Sequence, residues 1–211
     1  MSGKNYIDCS MSEFSNDLGA KKTMPGGGSA AAYVATLANS LASMVANFTV
    51  GKKKYAQFDD DIKEILEKAE NLNDKVIDLV DEDIRQFLPL ADAYKMPSTT
   101  ENEKKEKELE LQRCLKNAAK VPMDLLKICN EILYLHEELL EKGSKMLISD
   151  VGVGVQFLRA SALSAKLNIL INLNSINDED FKNKYKVEMD SLVESVVNKC
   201  DFIYEEVLKQ L

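Results

Sequence analysis

Hydrophobic residues recur along most of the chain with the spacing of an α-helix. The longest such stretch starts near Asp59 and continues for about eight turns. Similar stretches precede Gly143 and follow Asp178. No segment alternates with the two-residue period of a β-strand, and 9 Gly and 4 Pro leave few turn signals. The pattern therefore predicts an all-α protein.

Two further stretches are apolar on nearly every side. Residues 29–50 carry no charge, and about 149–173 are largely apolar. The first is long enough to cross a bilayer, but its polar residues, such as Asn39 and Asn47, would lack partners in lipid. Helices of this kind are typical of the centre of a bundle. We therefore predict no membrane span and an up-and-down helical bundle, in which two buried apolar helices are wrapped by long amphipathic ones.

Helix boundaries are marked by capping residues. Ser10 with Glu13 forms a capping box and Gly19 can end the first helix. Thr100 or Ser98 can begin the fourth helix, which Gly143 ends. The length of 211 residues suits one domain, 1–211, and would be cramped for two. Apolar faces on helices this long usually find a partner chain, so a homodimer is expected.

Composition limits the classes of function. A net charge of −8 argues against nucleic-acid binding, which normally uses a basic face. The four cysteines are far apart and there is a single His, so the sequence shows neither a zinc site nor a disulfide framework. Residues 1–10 lack the apolar core of a signal peptide. We expect a cytoplasmic protein with reduced thiols.

The sharpest local motif is the sequence PGGGS at residues 25–29, directly before the first apolar helix. Gly26, Gly27 and Gly28 would let a ligand approach the backbone, and the N–H groups of the first helical turn would face an anion. The alternative is a flexible turn with Ser29 as the N-cap. The motif alone favours neither interpretation, and it lacks the lysine of a Walker loop.

A lysine run lies at the other end of the same helix. Lys52, Lys53 and Lys54 precede Tyr55 in an otherwise acidic chain. These cations can gather the carboxylates of a substrate. They can equally complement the dipole at the end of a helix without binding any ligand. Taken alone, the run favours the second interpretation.

Two aspartates and two asparagines are further candidates. Asp83 lies at the edge of an apolar stripe, where partial burial would raise its pKa toward that of a useful base. The alternative is a solvated carboxylate, which is the more common case at such a position. Asp150 opens a helix, whose dipole keeps a carboxylate ionised. Asn168 and Asn172 share one face of that helix and must find partners across the bundle or in a ligand. His136 is in phase with core positions, and we interpret it as a packed or interface residue.

Together these segments are similar to one family, the cyclodeaminase/cyclohydrolase domain. It occurs at the C-terminus of formiminotransferase-cyclodeaminase and as free-standing methenyltetrahydrofolate cyclohydrolases. The resemblance covers about residue 10 to the C-terminus. One departure is the tripeptide after Asp83, at 84–86, where the family often has small residues. The matching segments are PGGGS at 25–29, LASMVAN at 41–47, TVGKKKY at 49–55, Asp83 before Phe87, Val121 with Pro122, and Ser149 with Asp150 leading to Asn168, Asn172 and Leu173.

The resemblance implies an all-helical dimer that acts on a reduced folate. It also implies a reaction that needs no metal and no cofactor beyond the tetrahydrofolate substrate. It implies either a cyclohydrolase, which hydrolyses 5,10-methenyltetrahydrofolate to 10-formyltetrahydrofolate, or a cyclodeaminase, which releases ammonia from formiminotetrahydrofolate. We favour the cyclohydrolase, because no transferase domain that makes formiminotetrahydrofolate is present in this chain. A non-catalytic module that binds a folate or a partner helix is the third hypothesis. We assign Asp83, Lys52 and Tyr55 to catalysis, and we assign to substrate binding Gly26, Gly27, Gly28, Ser29, Lys53, Asp150, Asn168 and Asn172.

Overall fold

The computed structural model describes residues 5–211, and within that range it contains helices and no strand. The first four residues of the predicted domain lie outside the described residues. One short 3-10 turn, Tyr6–Asp8, precedes the first helix, and two others, Lys53–Phe58 and Lys145–Leu147, lie between helices. The all-α prediction is confirmed. The helices are α1 Met11–Leu18, α2 Gly27–Asn47, α3 Asp59–Lys95, α4 Glu101–Lys142, α5 Ile148–Leu173 and α6 Glu179–Leu208.

Capping explains several of the boundaries. The hydroxyl of Ser10 accepts a hydrogen bond from the N–H of Glu13, which starts α1. Thr100 and Glu103 form a complete capping box at the start of α4, and Asp178 caps α6. These side chains accept hydrogen bonds from backbone N–H groups that have no acceptor inside the helix. The predicted starts of these helices are therefore confirmed.

Consecutive helices from α2 to α6 pack against each other, as expected for an up-and-down bundle. α2 and α5 lie side by side between α3 and α6, and α4 packs behind them against all four. The alanines on the buried face of α2, such as Ala35 and Ala38, are inaccessible to solvent and let neighbouring backbones come close. The bundle is confirmed, but α2 and α5 are not fully wrapped, because each keeps a solvent-facing side.

Both of these helices are long and apolar enough to span a membrane by length and composition alone. About half of the apolar 18-residue segment of each is buried inside the bundle. The buried share is 56% in α2 and 44% in the stretch Lys145–Leu173, which contains α5. Their exposed sides carry large apolar residues, including Leu167 at 69% exposure and Ile171 at 66%. A largely uncharged outer face therefore covers one side of the bundle.

The middle of the bundle is organised around His136 of α4, which is fully buried. Its Nε2 lies 3.0 Å from the carbonyl oxygen of Ala38 in α2. A Cβ at position 154 in α5 would lie 2.1 Å from Cε1 of the imidazole. Glycine is therefore required at position 154 for the imidazole to fit. The prediction that His136 is a packed residue is confirmed.

Candidate functional site

The glycine-rich turn places the start of α2 directly against α3. Gly26, in extended conformation, precedes the first helical residue, Gly27. Ser29 is therefore not the N-cap, as one interpretation had it, but a buried residue within the first turn. Its N–H and its hydroxyl both donate to Oδ2 of Asp83, at 3.0 and 3.1 Å. Asp83 thus supplies the negative charge that a helix N-terminus favours, and Ser29 holds this carboxylate.

The three glycines have different surroundings. A Cβ at Gly28 would lie 2.1 Å from Oδ1 of Asp83, well inside van der Waals contact. A Cβ at Gly26 or Gly27 would meet nothing within 4 Å. Glycine is therefore required at position 28 for the carboxylate to approach the helix. Gly26 and Gly27 border open space instead.

The half-buried position of Asp83 perturbs its acidity. Burial raises the pKa of this carboxyl group, and the two hydrogen bonds from Ser29 oppose the rise without cancelling it. A carboxylate whose pKa moves toward neutral is better suited to exchange protons. The structure agrees with the partial burial that we inferred from the edge of the apolar stripe.

Asp83 lines a cavity of about 360 Å³ between the start of α2 and helices α3, α4 and α5. Thr23, Met24 and the three glycines form one wall. Most of the opposite wall is apolar. Its residues are Phe87, Leu90, Tyr94, Leu115, Ala118, Pro122 and Ile171.

Asn168 and Asn172 line the same cavity from α5. Each side-chain NH₂ donates to a carbonyl one turn earlier, to Ser164 and Asn168 respectively, at 2.8 Å. Because those carbonyls can only accept, the amide oxygens are left as acceptors. Among the described lining residues there is no Lys, Arg or His, and Asp83 is the one charged group. The cavity therefore suits a ligand that is cationic near Asp83 and rich in N–H donors.

The lysine run lies far from this cavity within one protomer. Lys52 and Lys53 are exposed and follow the C-terminal end of α2, about 30 Å along the helix from its glycine end. Lys52 Nζ sits 5.8 Å from the ring centre of Phe48. In the described part of the chain no carboxylate is within ion-pair distance of either lysine. They are unpaired surface cations.

Tyr55 and Asp150 also lie at the lysine end of the bundle. The buried Tyr55 accepts a hydrogen bond at its hydroxyl oxygen from the N–H of Lys145, at 2.9 Å. This bond is the main reason that the pKa of Tyr55 is lowered. Asp150 is half-buried in the first turn of α5, about 27 Å along the helix from Asn168. A single protomer therefore does not bring Asp150 together with the two asparagines. The assignment of Asp150 to substrate binding stays a prediction.

The predicted site residues thus form two groups. The structure brings together Asp83, Ser29, the three glycines, Asn168 and Asn172, and it places Lys52, Lys53, Tyr55 and Asp150 at the opposite end. Sequence reasoning missed the apolar wall, including Tyr94 and Ile171, because periodicity cannot separate a cavity wall from a core. Within residues 5–211 no cluster of three His, Cys, Asp or Glu side chains is placed to hold a metal ion. The prediction that none is needed stays a prediction.

Comparison with known proteins adds an independent line of argument. Residues 10–191 match the family model described as formiminotransferase-cyclodeaminase. Methenyltetrahydrofolate cyclohydrolase of Methylorubrum extorquens is 34% identical, over 98% of both chains. Formimidoyltransferase-cyclodeaminase of Rattus norvegicus is 31% identical over 95% of this chain, which spans only 37% of that longer protein.

A solved structure has the same fold. The crystal structure of formiminotetrahydrofolate cyclodeaminase from Thermotoga maritima superposes with a TM-score of 0.81 and 34% identity, and the match covers 97% of this chain and 96% of that one. The family match, the Methylorubrum relative and the Thermotoga structure all cover the helices that build the cavity around Asp83. The chain therefore belongs to the formiminotransferase-cyclodeaminase family.

Proposed function

We propose that this protein is a methenyltetrahydrofolate cyclohydrolase, which converts 5,10-methenyltetrahydrofolate to 10-formyltetrahydrofolate. The observation that carries the proposal is the half-buried carboxylate of Asp83, which is the single charged group among the described residues that line the cavity. The carbon between N5 and N10 of this substrate is part of a cation. A carboxylate fixed in a partly desolvated site stabilises such a charge. The name and nearly equal length of the Methylorubrum relative support the choice.

Asp83 can also move the proton that the reaction requires. As the oxygen of water bonds to the bridging carbon, one water proton passes to the carboxylate. The C–N5 bond of the tetrahedral adduct then breaks, N5 takes that proton from Asp83, and the adduct hydroxyl loses its proton to solvent as the formyl C=O forms. Ser29 keeps the carboxylate oriented through both steps. The raised pKa of Asp83 favours this exchange over permanent ionisation.

The other polar groups of the cavity suit the pterin ring. The amide oxygens of Asn168 and Asn172 can accept hydrogen bonds from its amino and N–H groups. The N–H groups of Gly27 and Gly28 belong to a first helical turn, which has no intrahelical acceptor for them. They can donate to the ring carbonyl. Apolar side chains of α3, α4 and α5 cover the faces of the ring.

Formiminotetrahydrofolate cyclodeaminase is the second candidate, because the solved Thermotoga structure carries that name. In that reaction N10 attacks the formimino carbon on N5 and ammonia leaves. The same cavity suits both substrates, since both pass through a tetrahedral carbon between N5 and N10. A folate-binding module without catalysis is the third possibility.

One pair of assays separates the three. The purified protein is given methenyltetrahydrofolate, and the loss of its ultraviolet absorbance is followed against the uncatalysed rate. In parallel, ammonia release from formiminotetrahydrofolate is measured. We expect faster turnover of the methenyl compound, unchanged after treatment with a chelator. Dominant ammonia release would assign the cyclodeaminase, and binding without either reaction would leave only the folate module.

We further propose that the protein is a homodimer built on the outer face of α2 and α5. This face exposes Leu37 of α2 and Phe48 directly after it, with Val153, Leu167 and Ile171 of α5. α2 has no charged residue, and its exposed positions 37, 40 and 47, with the half-buried position 44 between them, recur with helical spacing. An apolar face of this kind on the surface of a protomer is typical of an interface between copies.

A two-fold axis near the middle of α2 would make the two copies of this helix antiparallel. The lysine end of one protomer would then approach the glycine end of its partner. In that arrangement the partner's Lys52 and the partner's Lys53 can bind the glutamate carboxylates of a folate whose pterin lies beside Asp83. This would give the lysines the binding role that a single protomer does not allow.

The dimer is tested by Leu167→Glu, which places a charge within the proposed interface. We expect light scattering to show a dimer for the wild-type protein and a monomer for this variant. Leu109→Glu is the matched control, since Leu109 is 73% exposed on the charged first half of α4. A wild-type monomer, or equal behaviour of the two variants, would contradict the proposal.

A further inference from the structure

The segment that precedes the glycine turn, residues 5–24, is attached to α3 by a buried carboxylate. We call this segment the N-terminal strap. Oδ1 of Asp81 accepts a hydrogen bond from the N–H of Tyr6 at 2.8 Å, and Oδ2 accepts one from the N–H of Ile7 at 3.3 Å. Asp81 is only 3% exposed. It precedes Asp83 by two residues on the same helix, but it does not line the cavity.

The rest of the strap is held by few buried groups. α1, which makes up much of it, has no buried residue. The ring of Tyr6 is buried and packs edge-on against Phe14, with ring centres 5.8 Å apart. The ring of Phe14 in turn packs against Tyr33 of α2, with ring centres 5.5 Å apart. The attachment of the strap to the bundle therefore depends strongly on Tyr6 and on the carboxylate that binds its backbone.

Tyr6 also connects this attachment to the cavity. Its hydroxyl donates to Oδ2 of Asp17 at 2.9 Å and lies 3.4 Å from the carbonyl oxygen of Met24. Met24 and Thr23 form part of the cavity wall. The glycine turn that receives Asp83 begins two residues after Met24. A continuous chain of contacts thus runs from Asp81 through Tyr6 to the wall of the site.

We infer that Asp81 is a positioning residue: by anchoring the N-terminal strap, it holds Thr23 and Met24 as a wall of the cavity and keeps the glycine turn in place beside Asp83. A carboxylate is costly to bury unless hydrogen bonds compensate it. At this position the compensation comes from the backbone of the strap, so the charge fixes one segment at one place. The effect on turnover rests on the proposed function, whereas the anchoring does not.

The test uses Asp81→Asn, which keeps the shape of the side chain and removes the charge and one acceptor. Asp78→Asn is the matched control, because Asp78 lies on the same helix with an exposed side chain. Losing one charge-assisted hydrogen bond should increase opening of the strap by about tenfold. We expect trypsin to cut after Lys21 or Lys22 faster by that factor in Asp81→Asn, and at the wild-type rate in Asp78→Asn.

Kinetics then test the link to the site. In Asp81→Asn the KM for methenyltetrahydrofolate should rise several-fold while kcat falls less, because the wall is lost but the Asp83 carboxylate remains. Tyr6→Phe should produce a smaller change of the same kind. If both substitutions act through the strap, the fold increase in KM of the double variant should be smaller than the product of the two single increases.

The outcomes separate the two proposals. Cleavage is measured on the ligand-free protein, so it tests the anchoring even if the wild-type protein turns over no folate. If Asp81→Asn is cleaved at the wild-type rate and has the wild-type KM, the inference is overturned. Effects of Asp81→Asn and Tyr6→Phe on KM that simply multiply in the double variant would also overturn it. Should Asp81→Asn fail to fold, Tyr6→Phe alone must raise both cleavage and KM, and an unchanged Tyr6→Phe protein would refute the role.

Discussion

The two ends of helix α2 differ in how the bundle surrounds them. At the glycine end, Gly28 is buried against α3, and Asp83 is half-buried against the helix N-terminus. At the other end, Lys52 and Lys53 project into solvent without a carboxylate partner among the described residues. One end therefore has a desolvated carboxylate in a cavity, and the other has hydrated cations on a surface.

This difference shows what each group of residues can do. An electrostatic interaction is strong where water is excluded and is screened where it is not. A group that must stabilise a reacting cation and exchange a proton belongs in the first environment. A group that attracts a flexible anionic tail works in the second. The predictions below test this division, from the largest expected effect to the smallest.

Replacing the cavity carboxylate should have the largest effect. Asp83→Asn retains the shape of the side chain but removes its charge and its basicity, so kcat should fall by about 10²–10⁴-fold. The KM for methenyltetrahydrofolate should change little. Steady-state kinetics measure both, and Asp92→Asn on the exposed side of α3 is the control. Near-normal turnover of Asp83→Asn would remove Asp83 from the mechanism.

The reaction rate should be nearly as sensitive to a change at the close contact between α2 and α3. Gly28→Ala puts a methyl group where Oδ1 of Asp83 lies 2.1 Å away, so the carboxylate must move. A displacement of about 1 Å at a reacting group can cost about 10²-fold in rate. Gly19→Ala is the control, since Gly19 does not line the cavity and a Cβ there would lie no closer than 3.5 Å to any atom. Equal kinetics for the two variants would show that the position of Asp83 does not matter.

Near the midpoint of α2, His136 contacts Ala38. The titration of this buried histidine should make the stability of the bundle, and with it both ends of α2, sensitive to acid. Burial lowers the pKa of His136 from 6.5 to about 4. The unfolded chain therefore takes up a proton at this residue at higher pH than the folded protein. The free energy of unfolding should decrease as the pH falls from 6.5 to 4, by about 3 kcal/mol from this residue.

The measurement is urea unfolding at several pH values for the wild-type protein and for His136→Gln. Other groups also titrate in this range, so the difference between the two proteins isolates the histidine. We expect the wild type to lose more stability on acidification than the variant. Parallel curves would show that the folded protein takes up the proton as easily as the unfolded chain.

Changes at the lysine end should be the smallest. Lys52→Met with Lys53→Met should weaken folate binding by several-fold, because each exposed charge contributes about 1 kcal/mol or less. The loss should grow with the number of glutamates on the ligand, and added salt should mimic it in the wild type. Binding that is unchanged at low salt would show that these lysines only complement the helix end.

The sequence alone determined the fold class and most helix boundaries. Helical periodicity and the caps at Ser10, Thr100 and Asp178 are local signals, because they depend on residues within one or two turns of each other. The family could also be recognised, since the PGGGS and TVGKKKY segments are contiguous. The partial burial of Asp83 followed from its place at the edge of an apolar stripe.

Only the tertiary structure decided which candidates share a site. Asp83 meets Ser29 across 54 residues of chain, and Asn168 joins them from another helix, because α2 and α5 lie antiparallel. The same packing places Asp150 and Tyr55 at the far end, although one helix carries both Asp150 and Asn168. The N-terminal strap held by Asp81 was likewise not predicted. Contacts between residues distant in sequence depend on how whole helices pack, and no local pattern records that arrangement.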